Sequence, residues 1–207
     1  SIANLASAYS HQGRWEEAEQ LFVQVIEIRK TKLGEHHPMT LMSIANLASV
    51  YSNQGRLEEA EKLNVYVIGI RKTKLGSDHH DTLTSIANLA SAYSRQGRWE
   101  EAEQLLIQVI ETRKMKHGSD HPGTLTSMAN LAVSYMSQCR WEEAEQLLIR
   151  VIETRKTKIG GDHPHTLTSM ANLASTYRKR GRQEEAEQLD VYVIGIRKTK
   201  LGSDHPD

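Results

Sequence analysis

One phrase returns through the whole chain at a fixed spacing. The asparagines that open its "NLA" core are Asn4, Asn46, Asn88, Asn130 and Asn172. Each lies 42 residues after the one before. A strict period of this length is typical of solenoids, in which each repeat buries its apolar face by packing on its neighbours. We therefore expect a single domain of five repeats, over residues 1–42, 43–84, 85–126, 127–168 and 169–207.

Each repeat contains two stretches whose apolar residues recur at helical spacing. The first stripe is clearest at Leu41, Ile44, Leu47, Ala48 and Tyr51. The second comprises Trp15, Ala18, Leu21, Phe22, Val25, Ile26 and Ile28. We also expect three tryptophans that open second helices to be core wedges, namely Trp15, Trp99 and Trp141. No strand pattern is present, so the predicted fold is all-α, a solenoid of five antiparallel helix-turn-helix repeats.

Glycine, proline and charge predict where these helices begin and end. Gly55 should close a first helix and Gly34 a second one, because glycine tolerates the left-handed conformation. Pro38 suits the first turn of the next helix, whose N–H has no partner. In repeat one, acidic residues open the second helix and basic residues end it, as the helix dipole favours. We interpret these runs as solvated faces: Glu16, Glu17, Glu19, Arg29, Lys30 and Lys32.

Composition excludes several classes of protein. Lysine plus arginine and aspartate plus glutamate each total 26, so no overall field attracts nucleic acid or an anionic membrane surface. No apolar run approaches the roughly 20 residues of a membrane span, and no leader or anchor is recognised. The single cysteine, Cys139, cannot form an internal disulfide, so we expect a cytoplasmic protein.

The residues that could carry chemistry are dispersed. Most histidines fall in the recurring "DHP" or "HHP" loop, one or two per repeat, too far apart for the four ligands of zinc: His36, His37, His79, His80, His121, His163 and His205. A turn-forming role is expected, with a His36–His37 surface metal site as the alternative. Cys139 shares the phase of Gly13, which predicts a strained turn with positive φ, a reactive thiol being the alternative. Neither a phosphate loop nor a serine nucleophile elbow occurs, so no catalytic residue, cofactor or metal is predicted and the chain is not expected to be an enzyme.

The phrase "NLASAYSRQGRWEEAEQL", followed by "VIETRK" and "GSDHPGTL", resembles the 42-residue, kinesin-light-chain-like form of the tetratricopeptide repeat. The resemblance covers the whole chain. It implies a right-handed superhelix in which first helices line a concave groove that binds peptides or partner proteins. Near-identical repeats of this kind also resemble the C-terminal sensor arrays of fungal signalling ATPases built like immune receptors. The P-loop of such an ATPase is not in this sequence.

Repeats two and five depart from the others in their second helices. Asn64 and Asp190 stand where the other repeats have Phe22, Leu106 and Leu148. A polar group at a core position costs free energy unless it finds a hydrogen bond. Gly69 and Gly195 replace glutamate inside the same helices, and each should weaken its helix by about 1 kcal/mol. We therefore expect these two repeats to pack differently.

The resemblance places one face of each first helix in the groove. Asparagine carries both an amide donor and a carbonyl acceptor, so Asn46, Asn88, Asn130 and Asn172 are predicted to hold an extended peptide. The alternative is that each asparagine bonds to a neighbouring helix. Small or variable residues on the same face complete the predicted peptide-binding set: Ser49, Ser91, Asn53, Arg95, Ser137 and Lys179.

A basic cluster ends the first helix of repeat five, comprising Arg178, Lys179, Arg180 and Arg182. It could select an acidic partner segment, or it could be a solvated end. The leading interpretation of the chain is a non-catalytic interaction scaffold for a peptide or protein. The alternative is a structural spacer or self-association array, a fragment of a larger signalling protein that stacks head to tail through exposed terminal repeats.

Overall fold

The structure, a computed structural model, describes residues 1–201, and these residues form helices and turns without a strand. Two helices of each repeat follow one another through a short turn, as the sequence predicts. The helices are α1 (Ile2–His11), α2 (Trp15–Leu33), α3 (Pro38–Asn53), α4 (Leu57–Leu75), α5 (His80–Arg95), α6 (Trp99–His117), α7 (Pro122–Ser137), α8 (Trp141–Ile159), α9 (Pro164–Lys179) and α10 (Gln183–Leu201).

The chain forms two compact units, Ser1–Leu105 and Leu106–Asp207, whose boundary lies inside α6. In unit one, α1 to α5 pack in chain order, and α3 also contacts the first helices on both sides, α1 and α5. In unit two, α7 to α10 pack in chain order, and α7 also contacts α9. First helices therefore lie side by side within each unit, which is the packing expected of stacked helix pairs.

The predicted first-helix stripe forms part of the core. Its aliphatic members are buried, and Tyr51 is half-buried against them. Two members of the predicted second-helix and tryptophan sets are not core residues. Ile28 is 41% exposed, because at 3.6 residues per turn it points away from Ile26, two positions earlier. Trp99 is 40% exposed at the first residue of α6, whereas Trp15 and Trp141 are half-buried.

The predicted turns are confirmed. Gly55 closes the turn after α3 with φ of 80°, and Gly34 follows α2 with φ of 96°. Cys139 holds the equivalent position after α7 with φ of 59°, and it is the one non-glycine residue at positive φ among those described. Its side chain is exposed and its thiol free. Since a Cβ is disfavoured in this region, the turn is strained, as predicted.

The loop histidines have a defined structural role. Each N-cap histidine accepts a hydrogen bond at Nδ1 from the backbone N–H two residues later, over 3.1–3.2 Å. The N-caps are His37, His79, His121 and His163. The prediction of a turn-forming role is thus confirmed and extended to capping. His205 lies outside the described residues, and within residues 1–201 no three metal-ligating side chains form a group.

The prediction that the basic run is solvated is wrong for its arginine. Arg29 is half-buried and donates to the Ser43 hydroxyl over 2.6 Å. Its equivalents in the next three repeats, Arg71, Arg113 and Arg155, are only 5–8% exposed. Each donates to a serine hydroxyl over 2.7 Å and to a backbone carbonyl at the start of the following first helix. We call this contact the repeat clasp.

The acidic run is also only partly solvated. Glu19 retains 24% side-chain exposure and accepts hydrogen bonds from Arg56, in the turn of the next repeat, over 2.8 and 2.9 Å. Glu61 binds Arg98 in the same way over 2.8 Å. The guanidinium of Arg98 lies 3.8 Å from the centre of the Tyr93 ring. This recurring arginine therefore joins the end of its own first helix to the second helix of the preceding repeat.

Candidate peptide-binding surface

The four predicted asparagines lie on first helices with their side chains accessible. In unit one, Asn46 is half-buried and Asn88 exposed; in unit two, Asn130 is exposed and Asn172 half-buried. Within residues 1–201, none of these amides hydrogen-bonds to a neighbouring helix. The alternative role, in which they tie helices together, therefore has no counterpart in the described contacts. We call the exposed surfaces of α3 and α5, and of α7 and α9, the first-helix faces.

In unit one, five of the predicted residues meet around a single cavity of about 120 Å³, which we call the amide pocket. Serine hydroxyls and amide groups dominate its wall. Its lining residues are Ser49, Ser52, Asn53, Asn64, Asn88, Ser91 and Arg95. The wall combines hydrogen-bond donors with acceptors and includes one cationic side chain.

Arg95 is held over the pocket by a residue of the preceding repeat. Its Nη1 donates to Asn53 Oδ1 over 2.6 Å. The two residues are 42 positions apart, so they occupy the same phase at the ends of α5 and α3. This bond fixes the guanidinium across two neighbouring first helices, and a guanidinium has five N–H donors in total.

Asn64 is a pocket residue that the sequence did not place in the site. It belongs to α4 and is 3% exposed, yet its Oδ1 has no hydrogen-bond partner. In the sequence, a polar residue at a core position predicted a free-energy cost to folding, but it did not show which surface the side chain lies near. Since α4 packs against both α3 and α5, this phase of the second helix lies beneath the first-helix face.

In unit two, the predicted residues Ser137 and Lys179 lie at the ends of two different first helices, α7 and α9. Ser137 is exposed at the end of α7, and its hydroxyl donates to the Val133 carbonyl over 3.1 Å. Lys179 is exposed at the end of α9. Val133, itself 42% exposed, stands at the phase that Ser49 and Ser91 occupy in unit one. In unit two, α7 therefore lacks the hydroxyl of this phase, whereas α9 retains it at Ser175.

The basic cluster beside Lys179 is largely neutralised within the protein. Arg178 pairs with Asp190. Arg180 pairs with Glu142 over 2.9 Å and with Glu145 over 2.5 Å, and Arg182 also contacts Glu145 over 2.6 Å. These contacts favour the structural interpretation of the cluster over recognition of an acidic partner.

Sequence and structure comparisons agree with this architecture. The tetratricopeptide repeat profile matches residues 1–64, 68–115, 81–156 and 128–190. One similar crystal structure is of a variant of the TPR-like repeats of a Podospora anserina kinesin light chain, repeats that are nearly identical to one another. It is 34% identical to this chain, with a TM-score of 0.73. The match covers 97% of this chain and 95% of that one. A second crystal structure of these repeats is 33% identical with a TM-score of 0.71, covering 98% and 96%.

A more distant structure has the same fold. BtubC from P. vanneervenii is 22% identical with a TM-score of 0.75, over 100% of this chain and 82% of that one. No curated protein matches the chain. Among the described helices, none combines the length and apolar character needed to cross a membrane.

Proposed function

Because the chain belongs to the tetratricopeptide repeat family, in its kinesin-light-chain-like form, we propose that it binds an extended segment of a partner protein along its first-helix faces. The family is one of non-catalytic interaction scaffolds. We assign the chain no reaction and no cofactor. The compartment that we propose is the cytoplasm.

The observation that carries this proposal is the accessibility of the asparagine amides. Asn46 and Asn88 lie on the first-helix face of unit one, and Asn130 and Asn172 on that of unit two. A primary amide can donate to a peptide carbonyl and accept from a peptide N–H at the same time. Such pairing is independent of the side chains of the bound segment, so it provides a general grip for extended backbone.

Sequence preference would come from the residues that differ between repeats. Near the ends of the first helices these are Asn53, Arg95, Ser137 and Lys179. They present an amide, a guanidinium, a hydroxyl and an ammonium at equivalent positions. A segment bound at unit one would therefore meet different hydrogen-bonding groups from a segment bound at unit two, which is how specificity is added to a general backbone grip.

The test is a peptide-array screen with the intact protein and two double variants. Asn88→Ala with Asn130→Ala removes one amide from each first-helix face. Gln104→Ala with Gln146→Ala is the matched control, since it removes two exposed amides from second helices. We expect the asparagine variant to lose about tenfold in affinity or more for the peptides bound by the wild type, as when hydrogen-bonding groups are removed at an interface. Unchanged binding by a folded asparagine variant would contradict the proposal.

A second candidate, self-association, is favoured by an exposed apolar patch on α10. Ile194 is 51% exposed, whereas Ile152, at the same phase of α8, is 6% exposed and belongs to the core of unit two. Val191 is 72% exposed on the same helix. We propose that this patch can pack on α1 of another copy, where Ile2 and Leu5 are exposed. Light scattering across a concentration series, with Ile194→Lys as the variant, tests it; a monomer at every concentration would exclude it.

A further inference from the structure

A second cavity of unit one lies where the loop after α2 meets the end of α4. We call it the loop cavity. Its volume is about 440 Å³, within the range of about 300–1,000 Å³ that is usual for small-molecule sites. It shares no residue with the predicted peptide-binding set. Its wall combines leucines with charged side chains, among them Leu33, Leu41, Leu75, Arg71, Lys74 and Asp81.

The guanidinium of Arg71 brings unused hydrogen-bond donors to this wall. Its side chain is 8% exposed, and Nη1 makes both hydrogen bonds of the repeat clasp. Among the described residues, Nε and Nη2 have no hydrogen-bond partner, yet neither nitrogen is one of the fully enclosed atoms that lack a partner. Both therefore keep accessible surface. An acceptor from outside the chain would offset part of the cost of burying this cation.

Unit two shows which partner these donors lack. Arg155, at the same phase as Arg71, uses Nη2 to donate to Thr126 Oγ1 over 3.2 Å. In unit one the phase of Thr126 is occupied by Met42, whose only side-chain acceptor is a weak one, a thioether sulfur. The replacement of threonine by methionine thus leaves Arg71 without the acceptor that its counterpart has.

Lys74 lacks its counterpart's partner as well. Lys158, at the same phase in unit two, pairs with Asp120 over 3.7 Å. In repeat one the phase of Asp120 is occupied by His36, and Lys74 forms no ion pair within residues 1–201. Lys74 and His36 both line the loop cavity. Two differences in repeat one therefore remove the acceptors of two cations in the same wall.

Two carboxylates of the wall limit the charge of an occupant. Glu35 already accepts a hydrogen bond from the Tyr66 hydroxyl, over 2.8 Å. Asp81 is half-buried, so it keeps contact with water, whereas the Arg71 guanidinium is buried. The more deeply buried of the groups without a partner is thus a cation, which favours an anion as the occupant. Beside two carboxylates, a single negative charge is repelled less than the nearly double charge of a phosphate.

We propose that the loop cavity binds a free carboxylic acid with a short aliphatic chain, as its anion. The carboxylate accepts hydrogen bonds from Nε and Nη2 of Arg71, and the ammonium of Lys74 adds a second positive charge. The chain packs on Leu33, Leu41 and Leu75. Since Leu33 is 48% exposed and Leu75 39% exposed, the chain covers apolar surface that water otherwise contacts. This site is additional to the first-helix faces.

The first experiment is an NMR titration with 4-methylpentanoate as the probe. The signals to follow are the methyl groups of Leu41 and Leu75 and the Nε–H of Arg71. Isoamylamine has the same alkyl chain with an ammonium, acetate has the carboxylate without the chain, and phosphate carries more charge. We expect saturable shifts with 4-methylpentanoate and binding at least about tenfold weaker with the other three. Equal binding of isoamylamine, or no shift with 4-methylpentanoate, would overturn the inference.

The second experiment restores the partners that unit two has. The double variant Met42→Thr with His36→Asp supplies a hydroxyl for Arg71 and a carboxylate for Lys74. We expect it to bind 4-methylpentanoate about tenfold more weakly, because both cations are then satisfied within the chain. Met39→Thr with His11→Asp is the matched control, since it makes the same two changes at residues outside the cavity. Undiminished binding by the restored variant would refute the role of the two cations.

Folding of the restored variant is checked by its urea midpoint. We expect no decrease, because Met42→Thr gives a buried guanidinium an acceptor. His36→Asp alone, at an exposed loop position, provides a second test and should weaken binding of the acid about threefold, as one ion pair at a surface can. If this folded single variant binds as the wild type does, Lys74 has no part in the site.

Two further measurements define the occupant and separate the site from the proposed function. An acetylated tripeptide that ends in leucine carries the same chemistry at the end of a chain, and we expect it to bind more weakly than the free acid. Tighter binding of the tripeptide would contradict a free acid as the occupant. Asn88→Ala should leave binding of 4-methylpentanoate unchanged, whether or not that variant loses peptides. Loss of the acid in Asn88→Ala would show that the two sites are not separate.

Discussion

The guanidinium of Arg71 donates to the hydroxyl of Ser85 over 2.7 Å and to the carbonyl of Asp81 over 2.9 Å. Arg71 lies in α4, the second helix of repeat two, and Ser85 lies in α5, the first helix that follows. Burial lowers the pKa of Arg71 from its usual value, but a guanidinium stays protonated in proteins. The clasp therefore keeps a charged group inside the protein, paired with neutral acceptors.

Removing the serine of this clasp should destabilise unit one. In Ser85→Ala the buried guanidinium loses its hydroxyl acceptor, which costs about 1–3 kcal/mol. The measurement is urea unfolding followed by circular dichroism. Ser91→Ala, at an exposed position of the same helix, is the control and should change stability by less than about 0.5 kcal/mol. Equal stability of the two variants would show that the clasp contributes nothing.

Relieving the strained turn at Cys139 should stabilise the protein. A left-handed conformation costs a non-glycine residue about 1–2 kcal/mol. Glycine removes this strain, but part of the gain in stability is offset because glycine loses more conformational entropy on folding. We expect Cys139→Gly to gain about 1 kcal/mol in thermal or urea unfolding. Gly97→Ala is the reverse test. It places a Cβ at φ of 75° with no atom within 4 Å of it, so its loss of stability would report backbone strain alone; no loss would refute the argument.

The contacts of Glu61 predict a pH dependence. Burial raises the pKa of this carboxyl, but hydrogen bonds from Arg98, Tyr93 and Gln96 lower it by more, so its pKa lies below the ordinary value. A carboxyl with a depressed pKa stabilises the fold above its unfolded pKa of about 4.3, and this contribution is lost as the pH falls through the folded pKa.

We expect Glu61→Gln to unfold at lower urea than the wild type at neutral pH. The gap between the two midpoints should close when the pH is lowered towards 3. Glu58→Gln, at an exposed position of the same helix, is the control and should change the midpoint at neutral pH by less than Glu61→Gln does. A gap for Glu61→Gln that stays constant with pH would contradict the assignment.

Capping by histidine can be tested with two neighbouring residues. His37 accepts from the Met39 N–H through Nδ1 over 3.2 Å, while His36 is exposed and is not the cap of α3. We expect His37→Ala to lower the free energy of unfolding by about 1 kcal/mol. His37→Asn should retain most of this stability, because asparagine is a strong N-cap. His36→Ala should have little effect. If the two alanine variants melt alike, the cap does not stabilise the helix.

Much of the fold was predictable because the period and the turn residues act locally. The 42-residue spacing, the helix pairs and the positive φ of Cys139 follow from side-chain periodicity and from glycine at equivalent positions. The burial of Arg71 did not follow from these rules. In the sequence Arg71 belongs to a charged run. Only the packing of the next first helix against α4 brings the two hydrogen-bond acceptors, a serine hydroxyl and a backbone carbonyl, to its guanidinium.

The candidate site was predictable to the same extent. Asn88, Ser91 and Arg95 lie on one helix at spacings that put them on one face. Asn53 and Ser49, which were also predicted, lie on the preceding first helix and line the same pocket. Asn64 was missed as a site residue because it lies on a second helix. Its position beneath the first-helix face depends on how three helices pack, which no single helix reveals.

The repeat clasp also affects how the protein unfolds. A repeat that unfolded alone would leave the arginine before it as a buried cation with neither of its acceptors. Stability is thereby shared between nearest neighbours, as in a linear Ising chain. Within each unit, we expect adjacent repeats to exchange their amide hydrogens in cooperative blocks rather than one by one.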